Sequence, residues 1–454
     1  RLVDAETASY RKGDWDRDGG YRNVPFEFSV FPSLSTDSGP RPTVTRFSLY
    51  LFAADGDRLD GSQIGLGVGW MREDVEGVQI AAIGNRAGAE VDGLQAAGVF
   101  NLAGGDVRGL QMALGLNSAG GEVDHLQMAV GLNLAYGPLD GMQMSLGPSL
   151  AFEQVHGIQF TGSLAYAGGL VDGIQTTGVV AYGGGRLEGV QVAGGASLVM
   201  RSAQGVQIGG GATFTGEDFT GFQAAGAFNW TGGSFEGAQV GGGLNYAGKV
   251  DGAQISALNL AGDVDGFQVG AVNIGNEVDG AQIGVVNVAR SSDVPIGALN
   301  LIGDGRFRIG VWGSDLAIPQ LALKTGSQTV HSILTAGIRP GTLDDPIWSL
   351  GAGFGLHLNL GLRGLHFLEP ELMVTNVFRG SIDGEDHALV SSLRLGFGWD
   401  LARRFSIFAG PSLNVSVQAG SLRDEKVGIV PAIRIPADDR SVFLWPGFFG
   451  GFEI

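Results

Sequence analysis

Groups able to do acid–base or metal chemistry are few and scattered in this 454-residue chain. The six histidines, His125, His156, His331, His357, His366 and His387, lie far apart, and none has a second ligand at metal spacing. Their expected place is a turn or a lumen. There is no cysteine to serve as a thiolate. The stretch Gly183–Gly185 lacks the Lys-Ser/Thr pair and following helix of a phosphate-binding loop. Asp55, Asp57, Asp60, Asp106, Glu122 and Asp124 offer oxygen donors, but not in the nonapeptide order of calcium-binding repeats, so they read as solvated turn acids. No serine is singled out as the partner of a histidine. The sequence therefore predicts no catalytic residue, no metal ligand and no cofactor. The charges that attract attention are Glu27 and Arg46, on one parity of neighbouring predicted strands, and Glu369, Glu371 and Arg394 near the C-terminus. In a barrel these five face the lumen, as structural pairs or as a constriction.

The elements that position such groups announce themselves by repetition. Glutamine recurs every 16 residues at Gln63, Gln79, Gln95, Gln111, Gln127, Gln143, Gln159, Gln175, Gln191, Gln207, Gln223 and Gln239. The interval then shortens to 15, 14 and 14 at Gln254, Gln268 and Gln282, and a degenerate sixteenth unit, Pro295–Asn300, closes the array. Each unit reads V-D-G-x-Q followed by Asn and a Gly-rich turn. Within it the parity is that of a strand: Leu110, Met112, Leu114 and Leu116 alternate with Gln111, Ala113, Gly115 and Asn117. Glycine stripes at Gly162, Gly178, Gly194, Gly210, Gly226 and Gly242 suit either close packing within a coil or a small-residue belt on a wall.

Composition excludes some classes. A formal charge of −18 does not suit nucleic-acid binding, and alternating apolar residues argue against disorder despite 80 glycines. No apolar run is long enough for a membrane helix. A chain beginning at Arg1 without methionine reads as one whose signal peptide is already removed, and absence of cysteine fits a secreted bacterial protein.

After the repeats the sequence predicts eight longer strands: roughly 306–313, 316–324 and 329–338, then Ser349–Leu360, Leu365–Val374, Ser391–Asp400, Phe405–Val417 and Phe443–Ile454. Their connections alternate in length, Arg339–Pro346, Phe378–His387 and Ala419–Arg440 being long and Gly361–Gly364 and Leu401–Arg403 short, the asymmetry of outer-membrane barrels. Adding two N-terminal strands, Pro25–Leu34 and Thr43–Leu51, and sixteen repeats gives about 26 strands in one antiparallel up-and-down transmembrane β-barrel. The organisation expected is a periplasmic or plug segment at 1–24, strands and repeats at 25–301, and barrel strands at 302–454.

In that barrel the apolar parity meets lipid. The lumen is lined by the glutamines from Gln79 to Gln239 together with Asn117, Asn133, Asn229 and Asn245, a polar, uncharged wall suited to a wide pore. Tyr166, Tyr182, Phe214, Trp230 and Tyr246 become aromatic girdles. At about 26 strands the diameter is roughly 50 Å, so its own segments plug it or a partner fills it. The expected partners are membrane lipid and lipopolysaccharide, with a protein in or around the lumen. The alternative is a β-solenoid of 14–16-residue coils carrying a smaller C-terminal barrel, since units that repeat singly add one coil per copy. It makes the protein a structural or interaction scaffold without transport, and turns the Gln and Asn columns into amide ladders holding strands in register.

Pro25–Ser33, the V-D-G-x-Q units, Val311–Asp315 and Phe405–Asn414 together resemble a family of uncharacterised bacterial surface-repeat proteins of the cell envelope. The resemblance spans nearly the whole chain. It implies the bacterial outer membrane as location and brings no activity or catalytic residue. The terminal aromatic usual in outer-membrane barrels is displaced here, Phe452 being followed by Glu453 and Ile454.

Overall fold

A computed structural model describes residues 20–37, 39–316, 319–339, 346–361, 366–379, 387–402, 405–418, 427–436 and 441–454. Most of the 1–24 segment, and parts of the 419–440 connection expected to help close a lumen, lie outside these residues. Strands and turns make up the described residues, and no helix occurs among them. The chain divides into two compact units, Arg1–Gly233 and Ser234–Ile454.

In the first unit most repeats form a seven-residue strand, such as Val107–Ala113, and a four-residue strand, such as Leu116–Ala119. Both pair in parallel with the same residues of the repeats before and after: Gln95, Gln111 and Gln127 are in register, as are Asn101, Asn117 and Asn133. Stacking of this kind makes a β-solenoid, of about 16 turns over the whole array. The antiparallel barrel of about 26 strands is thus not the fold, and the physical reason lies in the amides. Antiparallel neighbours would set successive glutamines at opposite strand ends, whereas parallel coils bring each over the next. The two N-terminal strands follow suit, Glu27–Phe31 lying parallel to Thr43–Tyr50.

The parity read from the sequence is real and its sides are kept, but the inward side is a dry core and not a wet lumen. Val107, Gln111, Ala113, Asn117 and Ala119 are buried, while Leu110, Met112 and Leu114 are exposed. Small aliphatics and amides thus fill a narrow coil, and the large apolar side chains point outward. Two residues before most of the glutamines the strand kinks: Gly109 has φ +147°, and a Cβ there would lie 2.0 Å from the carbonyl oxygen of Gly93. Only His125 carries a side chain at this kink among the described residues, at φ 113°. The later glycine stripe packs just as closely, since a Cβ on Gly178 would meet the carbonyl oxygen of Gly162 at 2.2 Å.

The second unit begins with coils of the same design, in register at Gln254, Gln268 and Gln282, and ends its coils at Leu299–Ile302. Eight antiparallel strands follow: Arg306–Ser314, Gln320–Gly326, Val330–Arg339, Ile347–Leu356, His366–Arg379, His387–Ala402, Phe405–Gln418 and Ser441–Glu453. The first pairs with the last, Gly310 opposite Glu453, so the sheet closes into a barrel. Here too large apolar residues face outward, among them Phe307, Leu321, Phe354, Leu372, Leu393 and Leu413. The last coil is tied to the barrel by Asn300: its N–H donates to Thr325 Oγ1 at 3.0 Å and its Nδ2 to Ser332 Oγ at 2.7 Å.

Candidate functional site

Two interiors gather the polar side chains, and the coil core is the first. Every glutamine from Gln79 to Gln223 donates its Nε2 to Oε1 of the glutamine one coil earlier, at 2.7–3.2 Å. In the second unit Gln254 donates to Gln239 at 2.8 Å and Gln268 to Gln254 at 2.8 Å. The asparagines run the other way: Asn85 donates to Asn101 at 2.9 Å, Asn101 to Asn117 at 2.9 Å and Asn117 to Asn133 at 3.0 Å. Asn229 accepts from Thr213 at 2.6 Å, and Asn245 donates to Asn259 at 3.1 Å. These residues are fully buried, so the expected lumen-lining columns line no lumen. A buried amide is tolerated because a neighbour of its own kind satisfies it.

The expected girdle is likewise a coil feature. Tyr166 and Tyr182 stack with ring centroids 5.1 Å apart and parallel planes, and Tyr136, Phe152 and Tyr166 continue the column. Phe214 lies in register with Trp230. In the second unit Tyr246 is in register with Leu260. Parallel strands bring the first unit's aromatics to one place on successive coils, where an up-and-down barrel would have sent them to alternate rims.

Glu27 and Arg46 do not meet. Glu27 is buried and accepts from Ser35 at 2.7 Å and Ser48 at 3.1 Å, and burial, opposed by these hydroxyls, raises its carboxyl above the usual range. Arg46 pairs at the surface with Asp60 at 2.6 Å. Of the candidate calcium donors, Asp55 binds Arg41 at 3.0 Å and Arg72 at 2.7 Å, and Asp57 binds Arg41 at 3.2 Å. Arginines neutralise those carboxylates.

The barrel interior is the second site, and it brings together Glu369, Glu371 and Arg394, all buried. Their hub is a residue that the sequence reading passed over: Lys324 Nζ lies 2.5 Å from Glu369, 2.8 Å from Glu371 and 3.5 Å from Glu453. Two histidines join them, His357 Nδ1 at 2.7 Å from Glu369 and His331 Nε2 at 3.9 Å from Glu371. His331, Glu369 and Glu371 are grouped tightly enough to hold a cation, their ligand atoms lying within 4.8 Å of one another, and the Lys324 ammonium supplies one. Lys324 also sits over the Phe408 ring at 5.0 Å, and the Arg394 guanidinium over Phe449 at 5.1 Å. Trp312, Ile333, Phe367, Met373, Phe408 and Phe449 pack beside the ions. A second interior layer centres on Asp315, which accepts from Trp445 Nε1 at 2.5 Å and Asn414 Nδ2 at 3.3 Å. Side chains fill such a barrel, as eight strands allow. Lys324 and Glu453 lie on the inward parity of their strands, but a single charge on each strand carries no periodic signal of its own.

No protein-family model, curated protein or solved structure matches the chain.

Proposed function

We propose that this is an outer-membrane scaffold protein of a bacterial cell envelope, in which the eight-strand barrel spans the membrane and carries the coil array as a structural or interaction element without transport. One observation supports this reading above others. Seven of the eight barrel strands present large exposed apolar residues on their outer face, and the interior buries Lys324, Glu369, Glu371, Arg394 and Glu453 beside its aromatics. A water-soluble barrel would do the reverse, while a lipid-facing barrel needs this inversion.

A wide conduit loses its support, because the amides meant to wet it are coil core and the barrel interior is packed. The short connections, such as 327–329, lie at the end where the coils join, and outer-membrane barrels keep short turns and termini on the periplasmic side. The coils are therefore assigned to the periplasm, a relocation of the surface scaffold expected from the sequence. Lipid and lipopolysaccharide are the barrel's partners, and a protein partner would use the coils.

Reconstitution tests the reading. The full chain should enter liposomes, migrate faster on gels before boiling than after, and give no discrete conductance steps in planar bilayers. A folded monomer stable in water without detergent would overturn the membrane assignment, and stepwise conductance would restore a channel.

A further inference from the structure

The coils and the barrel share more than a covalent joint. In the second unit, Val269, Ile283 and Val285 stand across a notch of about 700 Å³ from Phe354, Leu372 and Val374 on the barrel's outer wall. The volume falls within the roughly 300–1,000 Å³ of ligand sites. Ser332, a hydroxyl at its edge, already accepts a hydrogen bond from Asn300. An occupant therefore gains contact area and little hydrogen bonding, which selects hydrocarbon over water or a polar ligand. The wall side belongs to the apolar band of the barrel, and the coil side extends that band onto the solenoid.

We infer that the notch binds acyl chains of membrane phospholipid, drawn from the leaflet on the side of the short connections. The last coils are then a lipid-contacting surface, not merely cargo beside the membrane. The inference rests on the barrel being membrane-spanning. Phospholipid is favoured over a second copy of the chain because the notch is continuous with the wall that the bilayer already covers.

The chain has no cysteine, so single labels are unambiguous. The full-length variants Val285→Cys and Leu413→Cys, each labelled with bimane, are placed in phosphatidylethanolamine–phosphatidylglycerol liposomes containing doxyl-labelled phosphatidylcholine. Leu413 is exposed on the strand Phe405–Gln418, four strands round the barrel from Val330–Arg339, and reports on the barrel alone. The expected result is a loss of fluorescence at Val285 as deep as that at Leu413. Quenching at Leu413 without quenching at Val285 overturns the notch while leaving the membrane reading intact. Quenching at neither overturns both. Disulfide-linked dimers of unlabelled Val285→Cys without lipid quenching would assign the notch to a second copy and likewise overturn the inference.

Discussion

The side-chain amide of Gln143 donates to Oε1 of Gln127 at 2.8 Å, and that of Gln127 donates to Gln111 at the same distance. Each glutamine is thus both donor and acceptor in a buried chain. Gln127→Leu would keep the volume but leave the Oε1 of Gln111 and the Nε2 of Gln143 short of partners. At about 1–3 kcal/mol for each orphaned group, we expect a loss of about 2–4 kcal/mol in denaturant unfolding. A variant as stable as the parent would mean that the ladder contributes nothing.

Neighbouring residues on one strand should respond in opposite ways. Ala113 is buried and Leu114 is exposed. Ala113→Arg would force a guanidinium into the amide core and should cost at least about 3 kcal/mol. Leu114→Arg should change folding stability by no more than about 0.5 kcal/mol. Thermal unfolding of the two proteins decides it, and a tolerated Ala113→Arg would return the wet lumen to consideration.

His125 occupies a kink where the equivalent residues of other coils are mostly glycines with positive φ. Its side chain is strained there, so His125→Gly should stabilise the protein by about 1 kcal/mol, read as a higher denaturation midpoint. A destabilised variant would show that the histidine makes a compensating contact.

Glu27 gives the fold a pH dependence of known sign. Burial raises its carboxyl, so the folded state favours the protonated form. The stability contributed is fully present below the ordinary carboxylate pKa of about 4.3 and is lost as pH rises through the folded-state value. Glu27→Gln should therefore be more stable than the parent at neutral pH, and its advantage should shrink on acidification. Paired denaturation curves across pH check the sign, and an advantage that grew on acidification would contradict it.

Lys324 faces three buried carboxylates. Lys324→Met should cost about 3–5 kcal/mol by leaving them uncompensated. Neutralising Glu369 and Glu371 to glutamine in the same protein should recover much of the loss. The temperature at which the folded gel band disappears measures both effects, and failure of the rescue would point to packing over charge.

Much of this was legible in the sequence. All eight barrel strands lie within a few residues of the positions expected from the sequence, and Glu369, Glu371 and Arg394 share the buried parity of theirs. What parity cannot reveal is which face is dry. Leu110, Met112 and Leu114 were rightly grouped apart from Gln111 and Ala113, yet lipid and lumen were assigned where solvent-exposed surface and dry core belong. The strictness of the glutamine spacing carried the missing information. A wet wall accepts any small polar residue, whereas a ladder needs the same amide at the same height in every coil. Lys324 was missed for a different reason: one cation within a predicted strand has no periodic signature, and its partners arrive from strands distant in sequence.

The two ladders also bear on how such a protein changes over time. Gln donates toward the preceding coil and Asn toward the following one, so their amide dipoles oppose each other, and adding coils builds up little net field along the stack. Coils present their neighbours with the same glutamine, while the asparagine gives way to Ser149, Ala165, Ala181, Ser197 and Thr213 in five successive coils. Units that share both amides are therefore interchangeable parts: deleting one such in-register copy should remove about 4.8 Å of stack and leave the remaining seams intact. Only the terminal unit is irreplaceable, because Asn300 must match Thr325 and Ser332. Copy number could thus change over time without redesign of the barrel that follows.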